Sequence, residues 1–390
     1  MKKVKAFTWR TVVLLIGLLA LLAYFGHVMG FAAFFSTVMA TSHDLLLNTV
    51  FFIMGIAVVA GALGGFLAEF GILALLNRVL APVVRLLWGL PGAASVGAIT
   101  TFISDNPAII ALGKDQNFIR YFEEYQKPAL TNFGTSFGMG LIVIAYMMSL
   151  GYFSSAIVGF AGALVGSVVS TRLMLAFTKK SMKNSGEWNS SSSDDGERKE
   201  DGNDLDPHSW LEYREIKDGP VFRRFLESLL DGGSNGLKIG MQIVPGVLVI
   251  CTMVLLVTMG PGESGYDGSA YQGIPLLSGL GRWIQKPLEF LFGFTSPDSL
   301  AFPVTALGAV GAAMALVPRF LSEGLAGPVD VAVFTAMGMT WSGFLSTHIA
   351  MMDVMGFRSL TGKAMLSHTV GGICAGVAAH YLFRLTLLFL

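Results

Sequence analysis

The sequence predicts an all-α polytopic membrane protein: an inverted-topology repeat with broken helices and two re-entrant hairpins. Three observations carry that prediction. Of 390 residues, 53% are hydrophobic and 13% charged, whereas soluble domains are roughly a quarter charged. Several apolar runs also exceed the ~20 residues that a helix needs to cross a bilayer. Second, the apolar run over residues 91–113 is interrupted by Ser104-Asp105-Asn106-Pro107. A carboxylate at bilayer depth is expensive and is a functional candidate by default. Pro107 removes a backbone donor and biases Asn106 away from helix, so two short arms meeting at a polar tip are expected. Third, the halves of the chain match at an offset of 204. Arg78 matches Arg282, Gly89 matches Gly293, Ser95 matches Ser299 and Thr101 matches Thr305. The segment Thr131-x-x-Gly134-x-Ser136-Phe137 matches Thr335-x-x-Gly338-x-Thr340-Trp341.

Taken in order, residues 1–44 read as an N-terminal helix and external turn. Lys2, Lys3 and Lys5 precede an apolar run over residues 11–40. That run outlasts a signal-peptide core, so a retained first helix is expected in preference to cleavage. Its basic flank places the N-terminus in the cytoplasm. Residues 41–44 carry no Lys or Arg and suit the outer side. Repeat 1 occupies residues 45–178. Its segment 71–90 has Arg78 and Arg85 seven apart on one helical face, which suits a helix lying at the interface with snorkelling arginines; a tilted crossing is the alternative. The first hairpin spans 91–118, and crossings follow at 129–150 and 153–177.

Residues 179–236 form a charged linker with a serine run at 190–193, polar enough to be disordered in its first part. Flanking Arg172, Lys179, Lys180, Lys183, Arg223 and Arg224 make it cytoplasmic. Repeat 2, inverted, occupies residues 237–390, with a second hairpin near 295–319. The loop at 260–273 has Glu263 and Asp267 but no Lys or Arg, which fits the exterior. Each repeat has three crossings, one interfacial helix and one hairpin, an odd count that inverts the second unit.

Inverted repeats with discontinuous helices point to a secondary transporter with a site at the bilayer midplane. Enzyme signatures such as HExxH and the P-loop lysine motif are absent from the sequence. Cys251 and Cys374 both sit in apolar runs and have no metal-ligand or disulfide spacing. The competing class is a membrane scaffold or assembly factor with no solute.

The Ser-Asp-Asn-Pro hairpin, the paired T-x-x-G-x-[ST]-aromatic segments and the Gly-rich second hairpin together resemble the nucleoside-recognition, or Gate, membrane family. That family includes spore maturation proteins A and B and the gate modules of permeases. The resemblance covers residues 45–388 and implies a permease-like role. Nucleoside carriers of this shape use acidic and amide residues around base and ribose. Here the second hairpin, residues 306–313, reads Ala-Leu-Gly-Ala-Val-Gly-Ala-Ala and has neither, so the resemblance does not extend to nucleoside selectivity.

The candidate solute-binding residues are Ser104, Asp105 and Asn106 at the first tip, Thr131, Asn132, Thr135 and Ser136 beside Gly134, and Thr335, Thr340 and Ser342 in the repeat-related helix. Half-helix ends add partial charges there. Gly134 and Gly338 are expected to let the backbone open, with Thr131 and Thr335 lining one shared cavity near the midplane. The structural alternatives are capping by Ser104 or Asp105 and interhelical hydrogen bonds by small polar residues, about 1 kcal/mol each. Asp105 and His348 are candidates for ion or proton coupling, because histidine titrates near physiological pH. No metal site or cofactor is expected beyond a coupling ion, Na+ or H+. The expected partners are the lipid bilayer, a small polar solute and a second copy of the chain, with nothing pointing to nucleic acid. The expected location is a bacterial inner (cytoplasmic) membrane.

Overall fold

The computed structural model describes residues 7–106, 108–185 and 216–388. Pro107 and the serine run at 190–193, both singled out above, lie outside the described residues.

Helix α1 (Trp9–Met29) ends at Gly30, which takes φ +80° and turns the chain into α2 (Phe31–Glu69). The external turn expected at residues 41–44 is therefore corrected: those residues are inside α2. Only glycine adopts this backbone without a Cβ penalty, whereas the polar 41–44 stretch finds partners within a helix. Thr41 accepts the Tyr271 N–H at 2.8 Å, and Asp44 pairs with the Tyr271 hydroxyl.

Helix α3 (Ile72–Leu87) has 16 residues, about 24 Å at helical rise, which is short of the ~30 Å hydrocarbon core and suits the interfacial reading. The first hairpin follows as α4 (Ala94–Ile103) and α5 (Ala108–Lys114), its arms packing through Gly97 against Ile109 and Leu112. Helices α6 (Ala129–Thr135) and α7 (Gly140–Ser149) are two parts of one span, and α8 (Phe153–Ser185) closes the first half.

The second half opens with α9 (Val221–Thr258), a continuous 38-residue helix. The expected linker end at residue 236 and crossing from 237 are corrected, because the helix already begins at Val221. Its N-terminal turns are held by the Arg224–Glu69 ion pair at 2.6 Å and by glycine contacts with α2. The counterpart of α3 is divided between α10 (Leu276–Trp283) and α11 (Gln285–Phe292). The second hairpin is α12 (Ala301–Gly308) and α13 (Val310–Met314), continued by α14 (Val317–Ser322). A second broken span is α15 (Pro328–Trp341) with α16 (Phe344–Val354), and α17 (Thr361–Thr386) comes last.

Among the described residues, five helices are long and apolar enough to cross a membrane: α1, α2, the α6–α7 span, α8 and α9. Large side chains along α1 and on the outer faces of α2 and α9 are exposed, as Leu14, Val59 and Leu230 are. Lipid is the solvent that suits such faces.

Two antiparallel pairs form the frame. Helices α2 and α9 touch backbone to backbone, Gly61 against Gly232 and Gly236, and Gly65 against Ser228. Helices α8 and α17 pack through Gly162, Gly166 and Gly371. Small residues allow this close approach, which is how membrane helices gain packing energy without a hydrophobic drive. Both α2 and α9 contain a π-helical turn, Leu45–Val50 and Gly246–Cys251, and the two turns face each other.

The repeat is visible as a contact between equivalent residues. Ser342 Oγ donates to Gly138 O at 3.1 Å, 204 positions away. A residue touches its own symmetry mate only near the axis, so this contact and the facing π turns mark a pseudo-two-fold relating antiparallel helices. Local details repeat as well. Arg172 donates to the carbonyls of Leu86 and Leu87 at the end of α3. At the equivalent end of α11, Tyr381 and His380 bond the carbonyls of Phe290 and Leu291.

Candidate functional site

Both central spans break at equivalent places. After α6 the chain runs through Ser136 to Met139, which takes φ +54°; after α15, Ser342 takes φ +35° and Gly343 φ +72°. Two of the three non-glycine residues with positive φ among the described residues are at these breaks. Such backbone costs roughly 1–3 kcal/mol per residue and persists where surrounding structure holds it.

The expectation that Gly134 and Gly338 open the spans is corrected. Both lie within helices. Gly134 makes room for the Ile109 side chain of the first hairpin, and Gly338 does so for Phe302 and Val310 of the second. The openings fall four to five residues later, at Gly138–Met139 and Ser342–Gly343.

Both hairpin tips dock at the second break. Asn106 Nδ2 donates to Ser342 O at 2.6 Å, and Gly343 N donates to Ala306 O at 2.9 Å. Gly138 lies under the Asn106 amide, and a Cβ there would overlap Asn106 Oδ1 and press on Ser342 Oγ. Asn106, Gly138 and Ser342 therefore form one contact that joins the first tip to both breaks. Asp105 is half-buried, and its Oδ1 accepts the Asn106 N–H at 2.7 Å. Ser104 ends α4 by donating to Thr100 O at 2.5 Å.

The remaining expected site residues are buried and divide into two groups. Several hydroxyls bond within their own segment: Thr131 to Pro128 O, Ser136 to Asn132 O, Thr335 to Val331 O and Thr340 to Ala336 O. Asn132 works between helices, donating to Ser170 Oγ, Ser367 Oγ and Ala364 O at 2.8–3.0 Å. Thr335 packs on Gly159 of α8. The expected cavity shared by Thr131 and Thr335 is not formed: neither is exposed, and neither lines the two cavities described below. Their helices face α8, whose glycines draw the neighbours in.

Sequence reasoning missed His368. Its Nε2 lies 2.6 Å from Thr340 O, which fixes that nitrogen as the donor, so Nδ1 accepts from Ser170 Oγ at 2.8 Å. The resulting relay runs Asn132 to Ser170 to His368 to the Thr340 carbonyl, linking α6, α8, α17 and α15. His348 lies tilted against His368, ring centroids 4.6 Å apart, and meets Phe344 edge-to-face at 5.4 Å. Neither of its ring nitrogens has a hydrogen-bond partner among the described residues. The same holds for Asn106 Oδ1, Thr135 Oγ1 and Trp341 Nε1, all on the tip or the break segments. Buried polar atoms without partners are uncommon and mark places for water, ion or ligand.

A 750 Å3 apolar cavity lies between α3, the first hairpin and α8, lined by residues such as Leu80, Leu87, Ile99, Phe133 and Val165. A 340 Å3 polar cavity lies between Ser104 and the linker-side end of the α2–α9 pair. No group of three or more His, Cys, Asp or Glu able to hold a metal ion occurs among the described residues.

These features define an all-α polytopic membrane fold in which hairpin tips meet broken helices on a pseudo-two-fold axis. Among solved structures, the chain is similar to a variant of CNTnw, a concentrative nucleoside transporter, in an outward-facing state. The TM-score is 0.50 at 12% identity, covering 95% of this chain and 85% of that one. A second CNTnw variant in an outward-facing state gives a TM-score of 0.48 at 13% identity, over 95% and 84% of the two chains. No protein-family model and no curated protein matches the chain. At 12% identity the first likeness establishes a shared fold.

Proposed function

We propose that this chain is a secondary transporter of a small polar or zwitterionic solute, moved together with a cation, Na+ or H+, and allied to the Gate family. The observation that supports it most is the convergence of Asn106, Gly138 and Ser342, where a polar hairpin tip meets two strained helix breaks. Non-helical backbone is tolerated at membrane depth where protein buries it or a wet cavity faces it, and discontinuous helices in inverted repeats hold transported solutes. Asp105 supplies the acid beside that point. Nucleosides are the cargo in the name of the structural neighbour. For this chain a smaller solute is proposed, because the second tip, Gly308-Ala309, offers no acid or amide.

The test is reconstitution into liposomes with labelled amino acids, small polyols and nucleosides, under an imposed Na+ or pH gradient. Uptake that follows the gradient and is lost in Asp105→Asn supports the proposal. One observation favours the scaffold reading: Asn106, Thr131, Asn132, Thr335 and Thr340 are closed off from solvent. Absence of uptake and of solute-induced thermal stabilisation across that panel would establish it instead.

A further inference from the structure

The polar cavity beside the first hairpin opens along the α2–α9 seam, and its chemistry is unusual for its position. It is about 340 Å3 and is lined by Ser104, Glu69, Lys217, Ser228, Asp231 and Asn235. Along α2 it runs from Glu69 to Gly61, eight residues or about 12 Å of helical rise. One end is charged. Glu69 is paired with Arg224 and accepts the Lys217 N–H, and Lys217 pairs with Asp231. The other end is the first hairpin tip, where Ile103 presses on Gly64 and Ser104 faces the opening. The back wall is the glycine seam of α2 and α9, bare backbone at Gly61, Gly65, Gly232 and Gly236.

Lipid does not fill such a space. Charged and amide side chains facing hydrocarbon are expensive, and polar groups at depth face protein or water. The charges at the mouth are already paired, so they set a polar entrance without fixing an ion. The hydroxyls of Ser104 and Ser228 donate to Thr100 O and Phe225 O, so their oxygens remain as acceptors and, with the Asn235 amide, meet a polar visitor. Asp105 follows Ser104 directly. We infer that this cavity is the solvent-filled access route from the linker side to the first hairpin tip, wide enough for a small uncharged or zwitterionic molecule. The inference rests on the transport proposal only for the cargo; the water path stands or falls by itself.

The experiment is thiol accessibility in the full-length chain with Cys251→Ser and Cys374→Ser. Single variants Ser104→Cys at the inner end and Asp231→Cys at the mouth are labelled with a membrane-impermeant methanethiosulfonate in sealed vesicles of each orientation. Asp231→Cys reports folding and sidedness. Because thiol reactivity follows exposure, Ser104→Cys is expected to react roughly tenfold faster from the linker side than from the opposite side. If Ser104→Cys resists from both sides while Asp231→Cys labels, or labels faster from the opposite side, the route is overturned. Labelling of Ser104→Cys should also block uptake where the parent variant transports. Labelling from the linker side in a protein with no uptake at all would leave the route intact and remove the transport reading.

Discussion

The two hairpins occupy equivalent places in the repeat and differ in chemistry and in what they pack against. The first tip, Ser104-Asp105-Asn106, is polar, and Ile103 beside it packs on Gly64 toward the linker end of α2. The second tip, Gly308-Ala309, is apolar and packs on Gly246 and Ile250 at the π turn of α9. Gly64 lies 14 residues, about 21 Å, along α2 from Val50 at the facing π turns, so the Ile103 end of the first hairpin sits toward the linker while both tips meet at Ser342 and Gly343. One tip faces a polar cavity and the other is sealed against helix, and only the first tip carries an acid.

Five experiments break or sharpen that contrast. The largest effect is expected from Gly138→Leu, whose side chain would displace Asn106 and press on Ser342. It should lower stability by about 2–3 kcal/mol through overpacking and abolish uptake, read by thermal unfolding in detergent and by the liposome assay. Asp105→Asn keeps an oxygen for the Asn106 N–H and should unfold at the wild-type temperature, yet lose uptake and solute-induced stabilisation. Ala309→Asp, the reverse exchange at the second tip, should restore neither. Asn106→Ala removes the 2.6 Å bond to Ser342 O and leaves a buried carbonyl unpaired, a loss of about 1–3 kcal/mol. Gly343→Ala places a Cβ at φ +72° and 2.9 Å from Gly308 O, so about 1–2 kcal/mol is expected from backbone strain. A smaller loss from Asn106→Ala than from Gly343→Ala would mean that the second tip, not the first, holds the break.

The smallest effect concerns the loop at 260–273, which the first half lacks. Hydrogen bonds from Ser269, its own backbone N–H among them, and from Gln272 and Ser264 hold the Asp267 carboxyl down at about pKa 2 from 3.8. A depressed folded-state pKa contributes stability that is present above pH 3.8 and lost as pH falls toward 2. Asp267→Asn should flatten that acid limb of the unfolding curve, lowering the neutral-pH melting temperature slightly and leaving the value near pH 2 unchanged.

Much of this was legible in the sequence. Low charge and long apolar runs gave the class, and the interruption at Ser104-Asp105-Asn106 gave the first hairpin. The 204-residue offset stopped short at Phe137 and Trp341; the next pair, Gly138 and Ser342, is hydrogen-bonded. What was not legible has physical reasons. Glycine serves both close packing and positive φ, and the sequence does not say which, so Gly134 and Gly338 were read as breaks although they accommodate Ile109, Phe302 and Val310. Met139 in a left-handed conformation leaves no compositional mark at all. His368 lies in an apolar helix 20 residues from His348, and only folding brings the two rings together. The turn at Gly30 was hidden because apolar helices on both sides made the run look continuous.

The paired π turns have a consequence for how the long helices can be altered. Each bonds i to i+5 in place of i to i+4, which shifts the angular phase of everything beyond it relative to an unbroken α-helix. In α2 this phase shift separates the Gly61–Gly65 seam toward the linker from the Thr41 and Asp44 face that meets Tyr271. Deleting one residue from Leu45–Val50 would re-clock that face by about 100°, the angle of one residue in an α-helix. A matching deletion in Gly246–Cys251 would re-clock α9 as well. A length change in one helix alone would therefore turn its far face away from the contacts it now makes with its neighbour.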